Sequence, residues 1–165
     1  MAQTCRKVLR QMRYLILAAG MGKRLRDQAH QGPKCLIEIG GTTLLEKLIN
    51  QLEKTDNHAD IVEVAGYKYQ EEMEKATRCR IIVNPFFEIT GINASIWFAK
   101  SCFNEDILMI NGDIVFSDIM MEAMINNTAP SFICYDSSIM DDKEINVRVN
   151  DNRIVKFGVN FKEYS

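Results

Sequence analysis

Glycines and basic residues crowd one short stretch, Leu17-Ala18-Ala19-Gly20-Met21-Gly22-Lys23-Arg24-Leu25, and Pro33-Lys34 follows soon after. Glycine lets a backbone turn tightly and bring its N–H groups against phosphate oxygens with no Cβ in the way. Lys23, Arg24, Arg26 and Lys34 fall within twelve positions, and each can add charge-assisted hydrogen bonds to an anion. The spacing fits neither the Walker loop nor the dinucleotide GxGxxG turn, so those two sites are poor matches. A bland strand-to-loop turn with surface lysines is the competing reading, and the density of positive charge weighs against it.

Asn111-Gly112-Asp113 offers a second piece of chemistry. A carboxylate there can hold a hard cation such as Mg²⁺, which bridges phosphate oxygens and needs only one or two protein carboxylates. Asn-Gly-Asp is also an ordinary turn, and its value lies in sharing an edge with Gly20. A third region runs from Asn84 to Trp97, where Asn84, Thr90, Asn93 and Ser95 offer donors and acceptors to a base, a ribose or an acceptor substrate. The plainer alternative makes Asn84-Pro85 a turn and Asn93 or Ser95 a helix start. Phe86, Phe87 and Trp97 could contact a substrate cation, although such side chains more often pack in a core. Lys156 could face the same cleft from the end of the chain, though a solvated strand lysine is commoner.

These residues need a scaffold that brings strand ends together. Tyr14 to Ala19 is a continuous apolar run, the pattern of a strand covered on both faces. Ile37 to Gly41 reads as a short extended piece and a turn. Thr42 or Thr43 can cap the next helix, with Glu46 at capping-box spacing from Thr43, and Leu44, Leu45, Leu48, Ile49 and Leu52 then form an apolar helical stripe. Strands are expected at 61–65, 79–83 and 107–110, the last of them buried. Helices are expected at 67–77, 92–103 and, capped by Ser117, to about Asn126. In the 92–103 helix Ile92, Ile96, Ala99 and Phe103 would share one side. Alternating strands and helices imply parallel pairing with right-handed crossovers, and the carboxyl ends of such strands are where ligands bind. Further on, 131–135 reads as a strand. Residues 145–149 and 153–157 read as a hairpin across Asn150-Asp151-Asn152, an antiparallel extension of the sheet.

Size and composition fit that scaffold. The chain has 165 residues, 47% hydrophobic and 25% charged, enough for one domain with a covered sheet. Formal net charge is -2, yet residues 1–34 hold eight Lys or Arg against one acid, Asp27. A basic cluster on an acidic body suggests a small anion held in one place and argues against a nucleic-acid partner. Five scattered cysteines without CxxC suggest a reducing, cytoplasmic setting and neither a disulfide framework nor a zinc site. No apolar run reaches the roughly 18 residues of a membrane span. Residues 1–12 are expected to be an arm and 13–165 the domain. The stop soon after a strand raises the expectation that part of the C-terminal region is missing, and that a second copy, as a homo-oligomer or swapped dimer, covers an open side.

The segment 17–25 with Pro33-Lys34 resembles the signature of sugar-phosphate and related nucleotidylyltransferases. Asn84-Pro85-Phe86-Phe87, Ser95-Ile96-Trp97 and Ile110-Asn111-Gly112-Asp113-Ile114 look most like the branch of choline-phosphate and phosphonate cytidylyltransferases. The resemblance covers nearly everything from Tyr14 onward. It implies a Rossmann-like three-layer α/β nucleotidyltransferase fold with a mostly parallel sheet and a C-terminal antiparallel hairpin. It also implies a Mg²⁺-dependent enzyme that transfers CMP from CTP to a small anionic phospho- or phosphono-monoester and releases pyrophosphate. A sugar-1-phosphate nucleotidylyltransferase, or a catalytically incomplete nucleotide-binding fragment, is the alternative. Carried over by the resemblance, Gly20, Gly22, Lys23 and Arg24 grip the triphosphate and Lys34 the reacting centre. Leu17, Ala18 and Ala19 lie along the nucleotide, Asn84 and Ser95 belong to its recognition region, and Asp113 binds Mg²⁺. Lys156 resembles a hairpin lysine of the family. Two departures stand out: Gly91-Ile92 occupies the place of an Asn-Asn pair usual in the branch, and a second metal-binding aspartate of the family is absent before Ser165.

Overall fold

In the computed structural model, residues 12–20, 32–137 and 145–158 are described. They divide into two compact units, Met1–Asn127 and Thr128–Ser165. The expected arm at 1–12 therefore lies outside the described residues except for Met12, which opens the first strand. Gly22, Lys23 and Arg24 also fall outside them.

The first unit is built on four parallel strands. They are β1 (Met12–Leu17), β2 (Asp60–Gly66), β3 (Arg80–Asn84) and β4 (Asp106–Asn111), in the order β3-β2-β1-β4. The central strand is the apolar run Tyr14-Leu15-Ile16-Leu17, buried on both faces as a parallel sheet requires. On one face Leu15, Leu17, Val62 and Val64 pack with Ala99 and Cys102, and with Ile82, Ile96 and Ile107 at the margin. On the other face the Tyr14 hydroxyl donates to Asp56 Oδ2 at 2.8 Å, at the end of helix α1 (Leu44–Thr55). Helices on both faces make the fold three-layered.

Helix α1 begins as its residues dictate. Thr43 Oγ1 accepts from the Glu46 backbone N–H at 3.1 Å, and Glu46 Oε2 accepts from the Thr43 N–H at 2.8 Å, a complete capping box. The stripe Leu44, Leu45, Leu48, Ile49 and Leu52 is buried. Gly40 and Gly41 supply the left-handed turn before it, with φ of 65° and 79°.

Other elements depart from expectation. The polar segment 67–77 divides into a 3-10 turn at Tyr67–Tyr69 and helix α2 (Gln70–Ala76). The next helix, α3, is shorter than expected, Ile92–Phe98, and continues as a 3-10 turn at Lys100–Cys102. Ala99 and Cys102 stay buried while Phe103 is exposed, because tightening the last turn rotates the apolar stripe away from 3.6-residue spacing; Ile92, which opens the helix, is also exposed. Strand β4 is an edge strand of this sheet, and Met109 on it is 48% exposed. Helix α4 (Asp118–Ile125) follows, with the Ser117 hydroxyl accepting from the Met120 N–H.

The second unit holds a hairpin, β5 (Asn146–Asn150) and β6 (Arg153–Gly158). Among the described residues it forms a two-stranded sheet of its own, where an extension of the parallel sheet was expected. Asp151 and Asn152 both take positive φ, 47° and 58°, the conformation of a two-residue hairpin turn, which Asp and Asn tolerate. Residues 131–135, expected as a strand, have no regular structure. Their alternation is weak, and no neighbouring strand pairs with them among the described residues.

Candidate functional site

A cleft of about 440 Å³ opens over the carboxyl ends of the strands, lined by 17–20, Lys34, Cys35, Asn84, 87–88, 90–92, Ser95 and 111–113. Three strand ends build its floor. The Ala18 N–H donates to the Val64 carbonyl at 2.9 Å, and the Gly112 N–H donates to the Leu17 carbonyl at 3.0 Å. These bonds prolong the sheet by one residue past β1 and hold Ala18, Ala19 and Gly20 at the rim.

Gly112 is buried, and a Cβ there would lie 3.3 Å from three atoms: Ala18 Cβ, Cys35 Cβ and Ile16 Cγ2. Lack of a side chain is what lets the turn after β4 close on Ala18. Cys35 completes this contact from the 3-10 turn Lys34–Leu36, its thiol pointing at the Ala18 carbonyl, 3.9 Å away. Burial, with the charges of Glu63 and Asp113, pushes the Cys35 thiol up to about 12, so it is an apolar anchor and not a nucleophile.

Anchoring Cys35 sets Lys34 over the cleft. Lys34 Nζ lies 3.6 Å from Asp113 Oδ2, and both side chains remain about a third exposed, 34% and 39%. A cation and a carboxylate separated by 79 positions in sequence are thus neighbours at one strand edge. They stay open to solvent and to a ligand.

The wall opposite comes from the end of β3 and from α3. Gly66, ending β2, faces Phe87: a Cβ on Gly66 would lie 2.7 Å from the Phe87 ring. Phe87 also meets the Tyr69 ring edge-on at 5.9 Å, so it is a packed wall of the cleft. Trp97 is not among the lining residues. Its ring is covered by Lys100 Nζ at 4.3 Å from the centroid and by the edge of Phe98. The expectation of a substrate cation on Trp97 is met instead by the chain's own lysine.

Asn84 is 1% exposed and fully engaged. Its Nδ2 donates to Thr90 Oγ1 and to Ser95 Oγ, both at 3.1 Å, while its Oδ1 accepts from the Phe86 N–H at 3.0 Å. Ser95 is 5% exposed and lines the cleft.

The expected site residues therefore separate into groups. Leu17, Ala18, Ala19, Gly20, Lys34, Asn84, Ser95 and Asp113 come together around one cleft. Lys156 lies in the second unit on β6, cross-strand from Arg148. Arg13, counted in the basic cluster, is at the opposite end of β1, where its Nε donates to Asp60 at 2.6 Å. It serves the fold and not the ligand edge. Cys35 and Glu88 line the cleft without having been singled out. A small residue beside a charged turn has no spacing signature, and only its packing marks it.

Comparison with known proteins gives the class. The family model described as MobA-like NTP transferase domain matches residues 14–138, and the chain belongs to that family. Among curated proteins it is 37% identical over 107 residues to the bifunctional sugar-1-phosphate nucleotidylyltransferase/acetyltransferase of Sulfurisphaera tokodaii, covering 65% of this chain and 26% of that protein. It is 33% identical over 108 residues to the choline-phosphate cytidylyltransferase of Haemophilus influenzae, covering 64% of this chain and 46% of that one. The structure of the inositol-1-phosphate CTP transferase from T. maritima superposes with a TM-score of 0.69 at 24% identity, covering 92% of this chain and 65% of that chain. The chain spans less than half the length of the curated relatives it matches. No helix among the described residues is long and apolar enough to cross a membrane.

Proposed function

We propose that the cleft binds a nucleoside triphosphate and transfers its nucleoside monophosphate to a small phosphorylated acceptor, releasing pyrophosphate. The observation that carries this is the Lys34–Asp113 pair at 3.6 Å on the ligand edge of the sheet. Two anions must meet for this reaction, so the protein has to align them and neutralise the charge that grows on the α-phosphate and the leaving pyrophosphate. A phosphate acceptor is already anionic at neutral pH and needs no general base. Lys34 supplies a point charge for the reacting phosphate, and Gly20 leaves the rim open to backbone contact. Lys23 and Arg24, a few positions further along the sequence, would add charge.

Asp113 suits a hard cation. It is a half-open carboxylate, and among the described residues no cluster of three His, Cys, Asp or Glu surrounds it. Such a donor fits Mg²⁺, which takes its other oxygens from phosphate and water. Bound there, the ion would neutralise phosphate charge. Asp113 would hold the ion, and Lys34 does the remaining work of holding and orienting the phosphates.

For the acceptor, the sugar-1-phosphate reading is better supported, because the relative of that name shares the higher identity, 37% against 33% for the choline-phosphate one. A cytidylyltransferase acting on a phosphocholine- or phosphonate-like monoester is the second reading. It is favoured by the motif Asn84-Pro85-Phe86-Phe87 and by the choline-phosphate relative. The test is pyrophosphate release with Mg²⁺ from CTP, UTP, dTTP and ATP, each offered glucose-1-phosphate, phosphocholine and 2-aminoethylphosphonate. Release with UTP or dTTP and the sugar phosphate supports the first reading. Release with CTP and a monoester supports the second, and no release with any pair overturns transferase activity for this chain.

A further inference from the structure

We infer that Asn84 is a positioning residue that aims the Ser95 hydroxyl hydrogen at the nucleoside in the cleft, which deepens the triphosphate-binding reading above and rests on it. A serine hydroxyl normally both donates and accepts, so it discriminates little between ligand groups. Here one of its two lone pairs is occupied and its hydrogen is turned away from that side. The Phe86 N–H donates to Asn84 Oδ1 at 3.0 Å, which fixes which end of the amide is nitrogen. Both hydrogens on Asn84 Nδ2 then point at hydroxyl oxygens, Thr90 Oγ1 and Ser95 Oγ.

The two hydroxyls answer differently. Thr90 Oγ1 donates onward to the Phe86 carbonyl at 2.7 Å, so its hydrogen is spent on the turn. Ser95 has accepted from Asn84 and finds no acceptor of its own among the described residues. Its hydrogen must point away from Asn84, and Ser95 is 5% exposed on the cleft wall. A buried donor without a partner is costly, and a ligand acceptor oxygen in the cleft removes the cost. The shared chemistry is a neutral acceptor oxygen of the nucleoside, either a ribose hydroxyl or a base carbonyl. Asn84 itself has no donor left for a ligand.

Calorimetric binding of CTP and UTP with Mg²⁺ tests this, beside their 2′-deoxy forms. Ser95→Ala should weaken Kd by roughly 3- to 10-fold, the worth of one neutral hydrogen bond, and Ser95→Thr should restore most of it. Asn84→Asp replaces the donating nitrogen with an oxygen, so the Ser95 hydroxyl turns to donate inward and the same affinity is lost. In a Ser95→Ala background, Asn84→Asp should then cost no further binding, which a merely structural role would not predict. A Ser95→Ala effect absent with the deoxy nucleotides assigns the acceptor to the 2′-hydroxyl; one that persists leaves the base carbonyl or the 3′-hydroxyl. Unchanged affinity in Ser95→Ala, or additive losses in the double variant, overturns the inference while leaving the triphosphate reading intact. Absence of binding by the unaltered chain overturns both.

Discussion

Lys34 Nζ and Asp113 Oδ2 stand 3.6 Å apart, one on the turn after Pro33 and the other just past β4. They are close enough to attract and open enough to be parted by a ligand. A surface pair of this kind contributes little to stability, about 0–1 kcal/mol, so its value lies in what it does to an arriving phosphate. Lys34→Ala should lower kcat by about 100-fold or more while leaving the unfolding midpoint nearly unchanged, the scale of losing one preorganised charge at a reacting oxygen. Asp113→Asn should act similarly and should also raise the Mg²⁺ concentration needed for half-maximal rate. Pyrophosphate release across a Mg²⁺ titration measures both, and an unaltered kcat in either variant would remove that residue from the reacting centre.

Gly112 is where that geometry is set. A methyl group there meets Ala18 Cβ, Cys35 Cβ and Ile16 Cγ2 at 3.3 Å each. Two of these are attached directly to backbone and the third belongs to a fully buried side chain, so none can yield without moving a strand. Gly112→Ala should destabilise by about 1–3 kcal/mol, the usual cost of overpacking, and denaturant unfolding will read it. Because Lys34 and Asp113 flank the contact, turnover should fall along with stability.

Cys35 gives a chemical test of the same packing. Its thiol is buried and pushed up to about 12, whereas Cys134 is exposed. Alkylation by iodoacetamide at pH 8 followed by peptide mass spectrometry should mark Cys134 and spare Cys35 and the buried Cys102 until denaturant is added. Early labelling of Cys35 would mean that the turn after Pro33 opens in the folded state.

Much of this site was legible in the sequence because local rules and tertiary demands agree there. An apolar run ended by Gly20 has to be a covered strand with its turn at the ligand edge, and Thr43 with Glu46 marks where α1 begins. Asp113 was legible for the same reason, following a second such strand. What escaped notice depends on contacts between distant segments. Nothing near Gly66 announces that Phe87 will lie on it, and nothing near Asn84 announces that its two amide hydrogens go to Thr90 and Ser95. The second unit misled for another reason. Period-two alternation in β5 and β6 identifies strands but not their neighbours, and 131–135 has strand-like residues with no partner to pair with. Glu63 stands as one acid in the run Ile61-Val62-Glu63-Val64-Ala65, and only the covering of strand β2 on both faces marks it as buried.

That glutamate carries the last prediction. Glu63 is 0% exposed, and among the described residues neither carboxylate oxygen has a hydrogen-bond partner. Burial raises its pKa above the ordinary 4.5, and the nearby Thr77 and Cys79 offset only part of the effect. The neighbouring thiols of Cys35 and Cys79 are both pushed up to about 12, so they stay neutral through the acidic and neutral range and add no charge to the balance. Below pH 4.5 the group is protonated in folded and unfolded chains alike and imposes no charge penalty. As pH rises through the ordinary value the unfolded chain ionises first, and folding loses stability until the folded carboxyl ionises too. The slope in that window approaches about 1.4 kcal/mol per pH unit for one proton. Glu63→Gln cannot ionise, so the stability of the variant relative to the natural chain should climb from pH 4.5 upward and level off above the folded pKa. An unsatisfied buried amide has a cost of its own, but that cost is the same at every pH, so the slope and not the offset is the signature. Urea unfolding of both chains between pH 4 and 8 supplies it, and a difference that does not change with pH would mean that Glu63 is already ionised in the folded protein.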